Sequence, residues 1–314
     1  MKTLGIIGTG HVGQAVAYTA AMGAVADEIL LADAREDKAR AAALDLQDAG
    51  PFFPRRVKIA AVDVAELARA EVIVVATGLI VSEGDNADRL LEFEGSVRDV
   101  AEYIPKIVSA GFGGIFVVVT NPNDVIAHAV WRFSGFNPSR VLGSGTALDS
   151  ARARVILSRA LELHPSAVDA CMLGEHGESQ FLPWSQVRVG GMALEEYLKA
   201  SGKSLDRRAL EREVVDRGRV IYFGKGATEF GIANTTTAMV ASIFRDEKRV
   251  FLASTQLKGA YGVEGIHLST PVVVGSSGVE EVLTLDLSAE ELEKYRHSAS
   301  VVASYVQRID EVIS

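Results

Sequence analysis

Residues 2–13 read Lys2-Thr3-Leu4-Gly5-Ile6-Ile7-Gly8-Thr9-Gly10-His11-Val12-Gly13, an apolar run ending in G-x-G-x-x-G spacing and passing into a helix-like stretch. The setting matters, because this glycine pattern cradles a dinucleotide only where a strand precedes it and a helix follows. There Gly8 permits the tight turn, Gly10 lets the backbone approach a pyrophosphate, and Gly13 lets helix and strand pack, while the helix N-terminus turns its amides toward phosphate. Glycine turns also serve structure alone, so the next acidic residue carries weight. Asp33 follows the second strand-like run, Glu28 to Ala32, about 20 residues beyond the motif, where a carboxylate accepts hydrogen bonds from the adenosine ribose hydroxyls and repels the extra phosphate of NADP. Gly8, Gly10, Val12, Gly13 and Asp33 are therefore the candidate cofactor contacts, with NAD as cofactor. Arg35 lies close enough to leave discrimination against NADP open.

Outward from this unit, short β-branched runs alternate with amphipathic stretches: Val57 to Ala60, Val72 to Ala76, Ile115 to Val119 and Val141 to Leu142 read as further strands. Strand-helix alternation predicts an α/β fold, a Rossmann-type doubly wound parallel sheet covered on both faces. Beyond Gly145 the texture shifts to longer helical patterns, at Ala147 to Leu163, Asp206 to Phe223, Thr228 to Phe244 and Ala289 to Ile313. Strand-like stretches lie between them at Val168 to Leu173, Val187 to Val189, Val250 to Leu257 and Thr270 to Val274. The expected organisation is a NAD-binding domain over 1–145 and a mixed α+β substrate domain over 146–314. Ser288 is the expected N-cap of the last helix.

Bulk properties narrow the function. A chain of 314 residues with 48% hydrophobic side chains buries a sizeable core. A net charge of −9, with no Lys/Arg-rich run, argues against a nucleic-acid partner. The apolar runs are strand-length, short of the roughly 20 residues of a membrane helix, so no membrane partner is expected. Cys171 is the single cysteine, which excludes an internal disulfide and favours a cytoplasmic protein.

Reduction of a ketone by hydride develops negative charge on oxygen, and histidine is the side chain best tuned to supply the proton near neutral pH. Among six histidines, His176 stands out in Leu173-Gly174-Glu175-His176-Gly177-Glu178, just after an apolar run, although a lone histidine in a turn is more often a surface residue. In Leu148-Asp149-Ser150-Ala151-Arg152 the three-residue spacing puts Asp149 and Arg152 on neighbouring parts of one helical face. They form either a surface ion pair or a working unit, in which the carboxylate orients a histidine and the guanidinium fork grips a substrate carboxylate. Arg89 follows the polar stretch Val81 to Asp88; it is either a solvated residue at a helix start or a group that closes over substrate and polarises its carbonyl.

Four blocks, in this order, resemble the L-lactate and malate dehydrogenases over essentially the whole chain: the glycine motif with Asp33, Thr120-Asn121-Pro122-Asn123-Asp124, Leu148 to Arg152, and Gly174-Glu175-His176-Gly177. The resemblance implies a NAD-dependent 2-hydroxyacid dehydrogenase in which His176 is the acid/base, Asp149 its partner, Arg152 the carboxylate anchor and Arg89 the loop arginine. It also implies that Asn121 bonds near nicotinamide and substrate, that Thr228 lines the substrate pocket, and that the protein is a homodimer or homotetramer. The loop Leu79 to Asp88 has neither the arginine of malate enzymes nor the glutamine of lactate enzymes, and resembles that of L-2-hydroxyisocaproate dehydrogenases. The expected substrate is therefore a branched or bulky 2-keto acid, with L-lactate dehydrogenase as the alternative. Arg154 resembles an activator-binding arginine of sugar-phosphate-activated enzymes, but its companion position carries Asp169, whose charge repels a bisphosphate. A NAD(H)-sensing protein without catalysis is disfavoured by the retained His176, Asp149, Arg152 and Arg89. A NAD-dependent glycosidase is disfavoured because no metal site of cysteine and histidine is found, Cys171 reading as a buried strand residue.

Overall fold

The computed structural model describes residues 1–78 and 89–314, the side chains of 89–91 excepted. Strand β1 (Thr3–Ile7) pairs in parallel with β2 (Glu28–Ala32) on one side and β4 (Val72–Val75) on the other. β3 (Lys58–Ala61) extends the sheet beyond β2, and β5 (Ile115–Val118) and β6 (Val141–Gly143) extend it beyond β4, all parallel. The order β6-β5-β4-β1-β2-β3 reverses direction at β1, the switch point of a doubly wound sheet.

Why these runs are apolar beyond their first residues is visible in their packing. Alternate residues of each strand enter opposite cores. Ile7, Leu30, Ile73 and Phe116 meet helices α3 (Arg89–Ser109) and α4 (Asn123–Ser134), whereas Ile6, Leu31, Val74 and Val117 meet α1 (His11–Met22) and α2 (Glu36–Ala49). A parallel strand covered on both sides has no polar face to show.

The second half contributes α5 (Ala147–Leu161), the small antiparallel sheet β7 (Val168–Asp169), β8 (Arg188–Val189) and β9 (Met192–Ala193), and helices α6 (Leu194–Ser201), α7 (Arg207–Lys225) and α8 (Phe230–Arg245). A meander of β10 (Arg249–Lys258), β11 (Glu264–Gly275) and β12 (Gly278–Val282) follows, then α9 (Ala289–Val306) and α10 (Ile309–Ile313). The meander joins the first half directly: β10 pairs antiparallel with β6 at Ser254 and Gly143, giving a nine-stranded sheet among the described residues. A Cβ at Gly143 would lie 2.4 Å from Asn123 Oδ1 and 2.9 Å from the Ser254 Cβ, so glycine lets the two halves close there.

Several expectations are corrected. The run from Val168 forms a strand for only two residues, because side chains of α5 take the backbone beyond it: Met172 N–H donates to Ser150 Oγ at 2.8 Å and Met172 C=O accepts from Thr146 Oγ1 at 2.6 Å. Cys171 is therefore not a strand residue; it is half-buried in an extended segment, and burial pushes its thiol up to about 12. Helix α8 starts at Phe230 rather than Thr228, which lies in the loop after Gly226, a left-handed residue at φ +83° that ends α7. The last helix is two, divided at Gln307 and Arg308. Ser288 does cap α9, in a reciprocal box with Glu291.

Behind the sheet end, His128 of α4 and His267 of β11 face each other, Nδ1 to Nδ1, at 3.4 Å, 5% and 0% exposed. Burial pushes His128 down to about 4 and His267 well below its ordinary value. Two neutral rings share one N–H; two imidazolium ions repel. Because the unfolded chain binds these protons and the folded chain does not, the stability they contribute is full above about pH 6.5 and falls as pH drops toward 4. For His128 alone the loss by pH 4 is roughly 3 kcal/mol. Urea midpoints between pH 7 and pH 4 should fall less steeply for His128→Gln than for the wild type; equal slopes would show that the pair is not responsible.

Candidate active site

The glycine turn has the geometry its sequence requires. Gly8 has φ +94°, and a Cβ there would meet the Ala76 carbonyl at 2.3 Å; one at Gly13 would meet the Gly8 carbonyl oxygen at 1.9 Å. Gly10 differs, since its Cβ would point into space whose nearest atom is Lys38 Nζ at 3.9 Å. It precedes α1 as an N-cap with no side-chain hydrogen bond, so the first amides of α1, with Val12 among them, face an open cradle that fits a pyrophosphate.

Asp33 closes that cradle. Its Oδ2 accepts from the Thr9 amide at 2.7 Å and the Thr9 hydroxyl at 2.9 Å, its Oδ1 from the Arg35 amide at 3.1 Å, and Lys38 Nζ stands at 3.6 Å. Burial alone would raise the carboxyl pKa, but these donors and the Lys38 charge outweigh it and hold it below its ordinary value. The carboxylate is thus ionised and aimed, as adenosine ribose recognition needs. Lys38, which sequence reasoning passed over, places a positive charge beside it.

At the start of α1, His11 Nδ1 lies 2.7 Å from Glu229 Oε1, and Glu229 also pairs with Lys225. These contacts tie the loop carrying Thr228 to the start of α1; no sequence signal marks Glu229. Asn121 is exposed just beyond the end of β5, and its side chain makes no hydrogen bond among the described residues. Arg89 opens α3, but its side chain and the loop 79–88 lie outside the described residues.

His176 and Arg152 converge on one carboxylate. Asp149, in the first turn of α5 and 1% exposed, lies with Oδ2 2.6 Å from His176 Nδ1, while its Oδ1 accepts from Arg152 Nη1 at 2.8 Å. Arg152 is itself buried, and α7 approaches it so closely at Gly218 that a Cβ there would sit 3.3 Å from Nη1. Burial disposes of the surface-ion-pair reading. The His176 side chain is 25% exposed, and its other ring nitrogen makes no hydrogen bond among the described residues. Burial alone would lower the His176 pKa, but the charge and hydrogen bond of Asp149, with help from Asp124, raise it overall. Asp149 moves the other way: burial pushes it up, and His176 and Arg152 hold it below its ordinary value.

The turn presenting the imidazole is held from behind. Gly174, at φ +90°, lies against Ser298 so closely that a Cβ would meet its Oγ at 2.5 Å. The Glu175 amide donates to that Oγ at 2.7 Å, and the His176 amide donates to Asp124 Oδ2 at 2.7 Å. The Thr120–Asp124 block gives Asp124 no role of its own; an acidic side chain at the start of the apolar helix α4 is the sequence signal for it. Among the described residues no cluster of His, Cys, Asp or Glu is arranged to hold a metal, and no helix is long and apolar enough to cross a membrane.

Family models of lactate/malate dehydrogenase cover nearly the whole chain, the NAD binding domain over residues 2–143 and the alpha/beta C-terminal domain over 146–312. The chain belongs to the lactate/malate dehydrogenase family. An L-lactate dehydrogenase of Fusobacterium nucleatum is 38% identical, covering 98% of this chain and 96% of its own length. One of Thermoanaerobacterium saccharolyticum is 36% identical over 99% of this chain and 100% of its own. Among solved structures, the minor L-lactate dehydrogenase of Enterococcus mundtii superposes with a TM-score of 0.93 at 31% identity, over 98% of each chain. The chain is thus an enzyme of the L-lactate dehydrogenase type that uses NAD, and its small-molecule substrates are the hydroxy and keto acids of the lactate/malate dehydrogenase family.

Proposed function

We propose that this enzyme interconverts pyruvate and L-lactate, with NADH and NAD as the paired cofactor. The observation that carries the reading is Asp149, whose two oxygens hold a half-open imidazole and a buried guanidinium side by side. That geometry suits a substrate with a carboxylate next to a carbonyl: the Arg152 fork takes the carboxylate, and the carbonyl oxygen then lies toward the imidazole. Bound NADH supplies the hydride, and bound NAD accepts it in the reverse direction. The protein's own part is proton work. Protonated His176 delivers its proton to the oxygen, and Asp149 fixes the ring tautomer and offsets the imidazolium charge. Arg89 polarises the carbonyl, Asn121 and Thr228 line the crevice, and Gly8, Gly10, Val12, Gly13 and Asp33 hold the cofactor. The division of labour falls between 1–145 and 146–314. Exposed Val220, Phe223 and Phe230, at 68%, 78% and 74%, support assembly as a homodimer or homotetramer, and the lone cysteine fits a cytoplasmic location.

The names of the relatives favour lactate over the branched-acid expectation. The second reading, a bulky 2-keto acid, is kept for one sequence feature, the apolar start Leu79-Ile80-Val81 of a loop lacking both the glutamine and the arginine. NADH consumption on pyruvate, 2-ketoisocaproate, phenylpyruvate and oxaloacetate decides. The expected result is the highest kcat/KM on pyruvate, unaltered by fructose 1,6-bisphosphate because Asp169 stands in the activator region. A higher value on 2-ketoisocaproate would replace the reading, and no turnover on any acid would leave a NAD(H) sensor.

A further inference from the structure

We propose that Asp124 is a positioning residue for His176: one oxygen of its buried carboxylate fixes the histidine backbone, and the carboxylate sets a buried negative charge behind the turn that presents the imidazole. The proposal deepens the reading above and rests on it for where that proton goes.

Asp124 sits in the first turn of α4 and is 1% exposed. An ionised carboxylate so deeply buried needs partners on both oxygens, and they come from two separate elements. Oδ2 takes the His176 amide at 2.7 Å, and Oδ1 takes the Ser269 hydroxyl of β11 at 3.2 Å. Ser269 Oγ in turn accepts from the Thr146 amide, at the N-cap of α5, at 3.2 Å. This chain therefore runs from the histidine backbone to the helix that carries Asp149, locking the two partners of the 2.6 Å His176–Asp149 contact in one frame. Each end of the imidazole segment has its own carboxylate, Asp149 at the ring and Asp124 at the backbone.

The electrostatics agree with the geometry. Burial pushes Asp124 up to about 6, against the opposing pull of the His176 amide and imidazole, and Asp124 in turn raises His176. The other groups around it do not replace that charge. Glu175, on the loop of His176, pushes the Asp124 carboxyl further up. On its own helix His128, and on β11 His267, are held neutral by burial, as is Tyr295 of α9. Asp149 and Arg152 of α5 act on the ring from the far side. Coupling of this kind is reciprocal: whatever Asp124 does to the proton affinity of His176, His176 does to that of Asp124.

The test uses the full-length enzyme without substrate. Asp124→Asn keeps an oxygen for the His176 amide but removes the charge. Titration of His176 by NMR of histidine-labelled protein, assigned against His176→Ala, should show its proton affinity reduced by about tenfold, one pH unit. The basic limb of keto-acid reduction should move by the same amount. An unmoved titration in folded Asp124→Asn overturns the proposal. If that variant does not fold, reciprocity supplies the second measurement. In His176→Ala, the Asp124 carboxyl, followed by its 13Cγ shift, should bind its proton about tenfold more tightly than in the wild type, and an unchanged carboxyl overturns the proposal equally. Failure of the functional reading is separate: a wild type inactive on every 2-keto acid would remove the proton's destination while both titrations still give an answer.

Discussion

Replacing His176 by alanine should lower turnover of 2-keto acid reduction by about 100-fold to 10,000-fold, the range typical of a lost general acid/base, and leave NADH binding unchanged. The separation follows from where the residue sits. The cradle proposed for the cofactor is formed by Gly8, Gly10, Gly13, Asp33 and the start of α1, whereas His176 hangs from a turn on the other half and touches Asp149 and Asp124. Without the imidazole, Asp149 keeps Arg152 as a partner on Oδ1 and only Oδ2 is exposed to the new space. The backbone amide at 176 also survives the change, so the turn should stay in place. Steady-state rates with saturating pyruvate, beside a fluorescence titration of NADH, check both halves of the statement. Near-normal turnover would remove His176 from the proton step. In the wild type, the raised His176 pKa should extend reduction toward higher pH, with the rate falling as pH passes through that pKa and the protonated form is lost.

Arg152→Ala should lower kcat/KM on pyruvate by about 100-fold to several thousand-fold, the equivalent of about 3 to 5 kcal/mol for a buried charge pair broken on one side. Two losses combine. The substrate carboxylate loses its guanidinium fork, and Asp149 Oδ1 loses the donor at 2.8 Å that helps keep it ionised beside His176. Arg152→Lys separates charge from shape, because a lysine restores the positive charge without the planar pair of donors. Most of the loss should therefore persist in the lysine variant, chiefly as a raised KM with NADH binding intact. A lysine enzyme within tenfold of wild type in kcat/KM would show that only a positive charge is needed and that no bidentate clamp operates.

Much was legible in the sequence because the forces involved are local. A strand covered on two faces is apolar at nearly every position, so the runs at 4–7, 29–32 and 115–118 announce a parallel sheet. Gly8 and Gly13 are required by contacts a few residues or one strand away, at 2.3 Å and 1.9 Å from backbone atoms, and no other side chain fits. Asp149 and Arg152 lie three residues apart on one helix, so their pairing is written in helical periodicity. Other features depend on which surfaces meet after folding, and sequence spacing does not encode that. Thr146 and Ser150 end the strand expected through Leu173 by taking the backbone of Met172 themselves. Gly143 and Ser254, far apart in the chain, join the two halves into one sheet. Asp124 reaches His176 across 52 positions, and neither residue's neighbours hint at the other. The residue types of the site follow from chemistry and periodicity; which buried carboxylate is ionised, and against what, is decided only when α4, α5 and β11 close around it and exclude water.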